Sequence, residues 1–161
     1  MDKSFSDVEM KKYISNLVSY DEIENMTEED LLRKLPLVVL YLNAKDSGHW
    51  VLVHRVGSDG LIEFFDPYGY KIDTEFTYIP SEFQTPKYLA KLLSKIIRTE
   101  PISYNQYQFQ EKRHGVNTCG RHVIMRHMFK DVSLEDYKRG VQKVCNNTGI
   151  SPDQLAVGVT S

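Results

Sequence analysis

Three short runs rich in β-branched and aromatic residues follow Pro36: Leu37–Leu42, Trp50–Val56 and Leu61–Phe65. They constrain the fold more than any other feature of the chain, because runs of this length and make-up suit strands, whereas helices need longer stretches. Gly57-Ser58-Asp59-Gly60 joins the last two as a hairpin turn. The flanking pattern is helical. Residues 6–19 place Val8, Tyr13, Ile14, Leu17 and Val18 on one helical face, and Thr27-Glu28-Glu29-Asp30 reads as a capping box ahead of Leu31-Leu32. Thr85-Pro86 opens a segment with Leu89, Leu92, Leu93, Ile96 and Ile97 on one face and Lys87, Lys91 and Lys95 on the other. Ile102 to Gln110 reads as a further strand. Helices are expected from Cys119 to about Lys130, from Ser133 through Cys145, and briefly at Ser151-Pro152-Asp153-Gln154. Strands in the middle with helices at both ends predict an α+β fold, a helix buried against a mostly antiparallel sheet.

No repeat, low-complexity tract or linker divides the 161 residues, so a single domain over 1–161 is expected. The longest apolar run, Leu37 to Leu42, is too short to cross a bilayer, and Met1-Asp2-Lys3-Ser4 opens without the apolar stretch of a secretory signal. The two cysteines, Cys119 and Cys145, are expected as free thiols in a reducing, intracellular compartment, Cys145 being structural. A net charge of -2 excludes blanket attraction to nucleic acid. Residues 112–143 nevertheless carry eight Lys/Arg against three acids, and residues 1–30 nine acids against three Lys/Arg. Most of these read as solvated helix charges, with a local basic face as the alternative. Five histidines raise the question of zinc, but no C-x-x-C or H-x-x-x-H spacing occurs, and His122 and His127 fall on different sides of a helix. Neither a metal nor a cofactor is expected.

The chemistry-bearing residues are few. Cys119 precedes Gly120, which lets another backbone approach closely, and follows Asn117-Thr118, which suit the start of a helix. A cysteine at a helix N-terminus is favoured as thiolate by the free amides there. His49 ends the polar turn Lys45-Asp46-Ser47-Gly48 and begins the strand through Trp50. His54, five positions on, points to the opposite sheet face and is expected at the surface. Asp66 closes the next strand at Phe65-Asp66-Pro67. The hairpin therefore puts His49 and Asp66 at the same open end, where a carboxylate can fix the imidazole tautomer. Gln106, Gln108 and Gln110 alternate with Tyr107 and Phe109, so three neutral amides are available to an oxyanion, and the spacing does not choose among them.

The ordered set Gly48-His49-Trp50, Phe65-Asp66-Pro67-Tyr68-Gly69, a glutamine, then Thr118-Cys119-Gly120-Arg121 resembles the adenain and SUMO-protease superfamily of cysteine proteases. Within it the chain looks most like the small maturation proteases of double-stranded DNA viruses, virophages and related large transposons. Tyr104-Asn105 ahead of a glutamine, Arg126 after the cysteine, and Ser151-Pro152-Asp153-Gln154-Leu155 add to that likeness. The resemblance covers residues 37–130 most closely. It implies a papain-like fold of the adenain type, with Cys119 at the N-terminus of a buried helix, His49 as base, Asp66 as its partner, and Gln110 with Gly120 around the oxyanion. Trp50 would wall a narrow channel that admits small residues such as Gly before the cut bond. Arg113 stands where the family's glutamine usually falls, and Gln110 is taken over Gln108.

By this resemblance the chain is a cysteine endopeptidase acting on capsid or other virion precursors in the host cytoplasm, the viral factory and the virion, with no membrane partner and with DNA or a viral peptide as activator. Three alternatives keep the same fold: a SUMO- or ubiquitin-type isopeptidase, an acetyltransferase, and a non-catalytic binding module.

Overall fold

The computed structural model describes residues 7–44, 47–70, 100–111 and 118–161. The helix expected after Thr85-Pro86, and Asn117 as a cap, lie outside the described residues. Along the chain come α1 (Asp7–Met10), β1 (Leu17–Ser19), a 3-10 turn (Tyr20–Asn25), α2 (Glu28–Arg33), β2 (Leu37–Ala44), β3 (Ser47–Val56), β4 (Leu61–Phe65) and β5 (Ile102–Tyr104). Helices α3 (Cys119–Met128), α4 (Leu134–Thr148) and α5 (Pro152–Val159) follow.

The strands form one sheet in the order β1-β2-β3-β4-β5. Its outer pairs, β1 with β2 and β4 with β5, are parallel, while β2–β3 and β3–β4 are antiparallel. The fold is thus α+β, but the sheet is mixed rather than mostly antiparallel: intervening chain carries both outer strands back to the same edge direction. The hairpin is as expected, Val56 opposite Leu61, with Gly57 and Gly60 at φ 66° in the turn, where a side chain would be strained.

Alternation along each strand divides the core in two. Val38, Trp50, Leu52 and Phe65 face a layer made by α3, α4 and α5, through Val123, Ile124, Met125, Tyr137, Val141 and Ala156. Leu37, Val39, Tyr41, Val51, Val53, Ile62 and Phe64 face Tyr20, Ile23 and Leu31 on the other side. A fully buried Leu or Phe of this kind contributes about 1.5–3 kcal/mol relative to an exposed one. Because both faces are covered, His54 is fully buried, not superficial.

Some local expectations fail. The stretch 6–19 is not one helix: α1 ends at Met10 and β1 begins at Leu17, leaving Val8 and Tyr13 exposed while Met10 and Ile14 fill the core. The strand expected through Gln110 stops at Tyr104, where pairing with β4 ends at Phe64. Helical caps were more legible. Thr27 and Asp30 form the reciprocal box on α2, Ser133 accepts from the Asp136 amide on α4, and Ser151 with Gln154 boxes α5.

Helix α3 packs on β3, and its residues Cys119–Arg126 are all buried. Three of them are polar, and burial demands a partner for each. Arg121 donates to the Thr160 hydroxyl at 3.0 Å beyond the end of α5. His122 reaches Asp153 at 2.8 Å. Arg126 grips Glu63 with Nε at 2.8 Å and Nη2 at 3.0 Å. Two cations of the basic segment are therefore spent inside the molecule.

Candidate functional site

The open end of the β3–β4 hairpin meets the N-terminus of α3, and that junction assembles the residues singled out by pattern. The His49 Nε2–H donates to Asp66 Oδ1 at 2.7 Å, both groups buried. The Tyr68 amide donates to the same oxygen at 2.8 Å, so this carboxylate oxygen is fixed from two sides. The Tyr68 ring lies flat on the His49 imidazole, centroids 4.4 Å apart and planes within 9°. With Nε2 committed, Nδ1 is the ring nitrogen left for Cys119, whose side chain hydrogen-bonds His49.

The electrostatics follow from that contact. Burial alone would lower the His49 pKa, but the Asp66 carboxylate and the Cys119 sulfur raise it well above the ordinary 6.5. Burial alone would raise Cys119, but His49, together with the amides of Trp50 and Gly120, brings it below the ordinary 9.0. Both shifts move the pair towards thiolate with imidazolium. Thr118 occupies the N-cap position of α3 but does not cap it with its side chain. Its hydroxyl donates instead to Asp153, and within the first turn it is the Gly120 amide that acts on the sulfur.

Asp66 is held by a residue the pattern reading used only as part of a resemblance. Asn105, fully buried, accepts from the Asp66 amide at 2.9 Å and donates to the Asp66 carbonyl at 2.6 Å. Its side chain thereby continues the pairing that β5 abandons at Tyr104. The Phe109 and Gln110 amides both donate to the Pro67 carbonyl at 2.9 Å, tying the glutamine segment to the Asp-Pro turn. Of the three glutamines, Gln106 and Gln108 are exposed and Gln110 is buried. The Gln108 amide donates to the Gln110 carbonyl at 2.8 Å, so it braces the loop. Trp50, 8% exposed, packs in the same core layer as Cys119.

Among the described residues two further histidine–carboxylate pairs occur, His54–Glu63 at 2.7 Å and His122–Asp153 at 2.8 Å. Their geometry matches that of His49–Asp66, but neither shows a thiol bonded to its ring. Sequence reading missed both as pairs: Glu63 stands opposite His54 in the hairpin, but His54 was expected at the surface, and Asp153 comes from a helix 31 residues beyond His122. Among the described residues no three His, Cys, Asp or Glu side chains gather as a metal-binding set, and no helix is long and apolar enough to cross a membrane. Cys119 and Cys145 are both free thiols.

No family model matches the chain, and no solved structure gives a significant match. A curated relative does. Over 151 residues, 90% of this chain and 82% of the other, it is 31% identical to "Uncharacterized protein V9" of Sputnik virophage.

Proposed function

This chain belongs to the same family as protein V9 of Sputnik virophage, and we propose that it is a viral cysteine endopeptidase that matures capsid or other virion precursors. The observation that carries the proposal is the thiol of Cys119 hydrogen-bonded to an imidazole whose other nitrogen is bound to Asp66. The ordered likeness to adenain-type proteases, and a relative from a virophage, support the same reading.

In that reaction His49 holds the proton taken from Cys119, and the thiolate adds to the peptide carbonyl carbon. The oxyanion so formed is held by the Cys119 amide and the Gln110 side chain. Collapse expels the amine, which takes the proton from His49, and leaves a thioester on Cys119. Water, deprotonated by His49, then adds to the thioester, releasing the acid and restoring the thiol. Trp50 and Gly120 border the approach, in keeping with small residues before the cut bond. Action in the viral factory and virion, and stimulation by DNA or a viral peptide, belong to the same proposal. For DNA, Lys130, Arg139 and Lys143 offer exposed charge, whereas Arg121 and Arg126 are buried.

Incubating wild-type protein and Cys119→Ala with the virion proteins encoded beside its gene, and reading new termini by mass spectrometry, tests this directly. New termini after small residues are expected with wild type alone. Identical termini in both reactions would refute it.

A further inference from the structure

Asp153 lies at the start of α5, remote in sequence from every residue named in the reaction, yet its carboxylate touches both segments the reaction needs. Oδ1 accepts from the Thr118 hydroxyl and from His122 Nε2 at 2.8 Å. Oδ2 accepts from the Glu111 amide at 3.1 Å. Thr118 immediately precedes the nucleophile, and Glu111 immediately follows Gln110. The residue is 4% exposed, and its hydrogen bonds, with His122 foremost, hold its carboxyl below the ordinary range against the opposing pull of burial. Such a buried carboxylate costs desolvation that only these bonds offset, which makes a merely incidental placement expensive.

We infer that Asp153 is a positioning residue, a clamp that sets the Gln110 amide relative to the Cys119 thiolate and so shapes the oxyanion site. The inference rests on the proposed carbonyl-addition chemistry, but not on the substrate being a peptide. The two oxygens act on different parts. Oδ1 steadies the turn entering α3, and Oδ2 steadies the loop that carries Gln110. Asp153→Asn separates them: an amide oxygen can still accept from Thr118 and His122, while the new NH2 faces the Glu111 N–H and cannot accept from it.

Two small probes read the difference. With p-nitrophenyl acetate the Cys119 thiolate adds to the ester carbonyl, an oxyanion forms, p-nitrophenolate leaves, and an acetyl thioester remains. With iodoacetamide the thiolate displaces iodide at a saturated carbon, and no oxyanion arises. Modification is followed at Cys119 by mass spectrometry. Asp153→Asn is expected to slow acylation by about 10- to 100-fold while alkylation and its pH profile stay at wild-type values. Gln110→Ala should show the same signature, and adding Asp153→Asn to it should cost nothing further, since there is no longer an amide to place.

Should Asp153→Asn fail to fold, Ser151→Ala loosens the first turn of α5 from its exposed side and should give the same signature more weakly. Parallel loss of both probe reactions, no change in acylation, or a full additional loss in the Gln110→Ala background would overturn the clamp. The outcomes stay separable from the protease reading. Virion proteins left uncut while the signature persists would remove the protease and keep the clamp; active cleavage with a flat signature would do the reverse.

Discussion

At the scale of single residues, three buried imidazole–carboxylate contacts of nearly equal length occur among the described residues, and the sulfur singles out one of them. That contact sets a chain of influence from Asp66 through His49 to Cys119. Replacing Asp66 by Asn removes the charge that raises His49, so less imidazolium is present at neutral pH and the thiol loses its cationic neighbour. Asp66→Asn should therefore lower turnover by about 10²- to 10⁴-fold and move the alkylation midpoint of Cys119 upward, towards 9.0. An unchanged midpoint would show that Asp66 does not govern the pair. His49 and Asp66 were legible as neighbours because hairpin geometry is a local property of sequence, whereas Cys119 joined them only through the ordered likeness to a known superfamily. Asn105 and Asp153 had no such signal. An asparagine after a strand and an aspartate in a first helical turn are ordinary in both places, and only tertiary closure shows what their side chains hold.

At the scale of elements, the junction of the β3–β4 hairpin with α3 is fastened by a buried polar cluster. Glu63 on β4 accepts from Arg126, and His54 on β3 meets both Glu63 and, at 3.1 Å between Nδ1 atoms, His127. Arg126 also lies 4.9 Å from the Tyr137 ring centroid. Arg126→Met leaves the Glu63 carboxylate buried without its guanidinium, and urea unfolding should show a loss of about 3–5 kcal/mol. Burial first, and then the charges of His54, Lys130 and Arg126, hold His127 down to about 4, and burial also lowers His54 despite Glu63. Both folded values lie below 6.5, so the unfolded chain takes up more protons as pH falls. Stability should decline from about pH 6.5 towards 4, and His127→Gln should flatten that slope in melting experiments. A slope identical to wild type would assign the acid sensitivity elsewhere. Pattern reading placed His54 on the correct side of β3 yet exposed. A helix buried against the sheet was expected, but nothing local assigns it to the side that carries His54, so the contacts with Arg126 and His127 that enclose this cluster were not legible.

At the scale of the whole molecule, α5 is the keystone of the helical layer despite its eight residues. It receives Arg121 at one end and supplies Asp153 at the other. Removing residues 151–161 would strand a guanidinium and an imidazole in the interior, a cost comparable with total domain stability. Loss of a cooperative thermal transition is expected by circular dichroism, and a sharp transition near the wild-type midpoint would contradict it. The mixed sheet belongs to this scale as well. Strand-forming runs identify β2, β3 and β4, but the direction of β1 and β5 depends on how chain between them wraps, which no local pattern encodes. Cys145, half-buried on α4, has its thiol pushed above 9.0 by burial, opposite in sense to Cys119. One polypeptide thus carries a strong and a weak sulfur acid side by side, and near neutrality a limiting dose of electrophile should mark the first and spare the second. That inequality supplies an internal standard, by which the fraction of molecules with an intact reactive centre can be counted without engineering the chain.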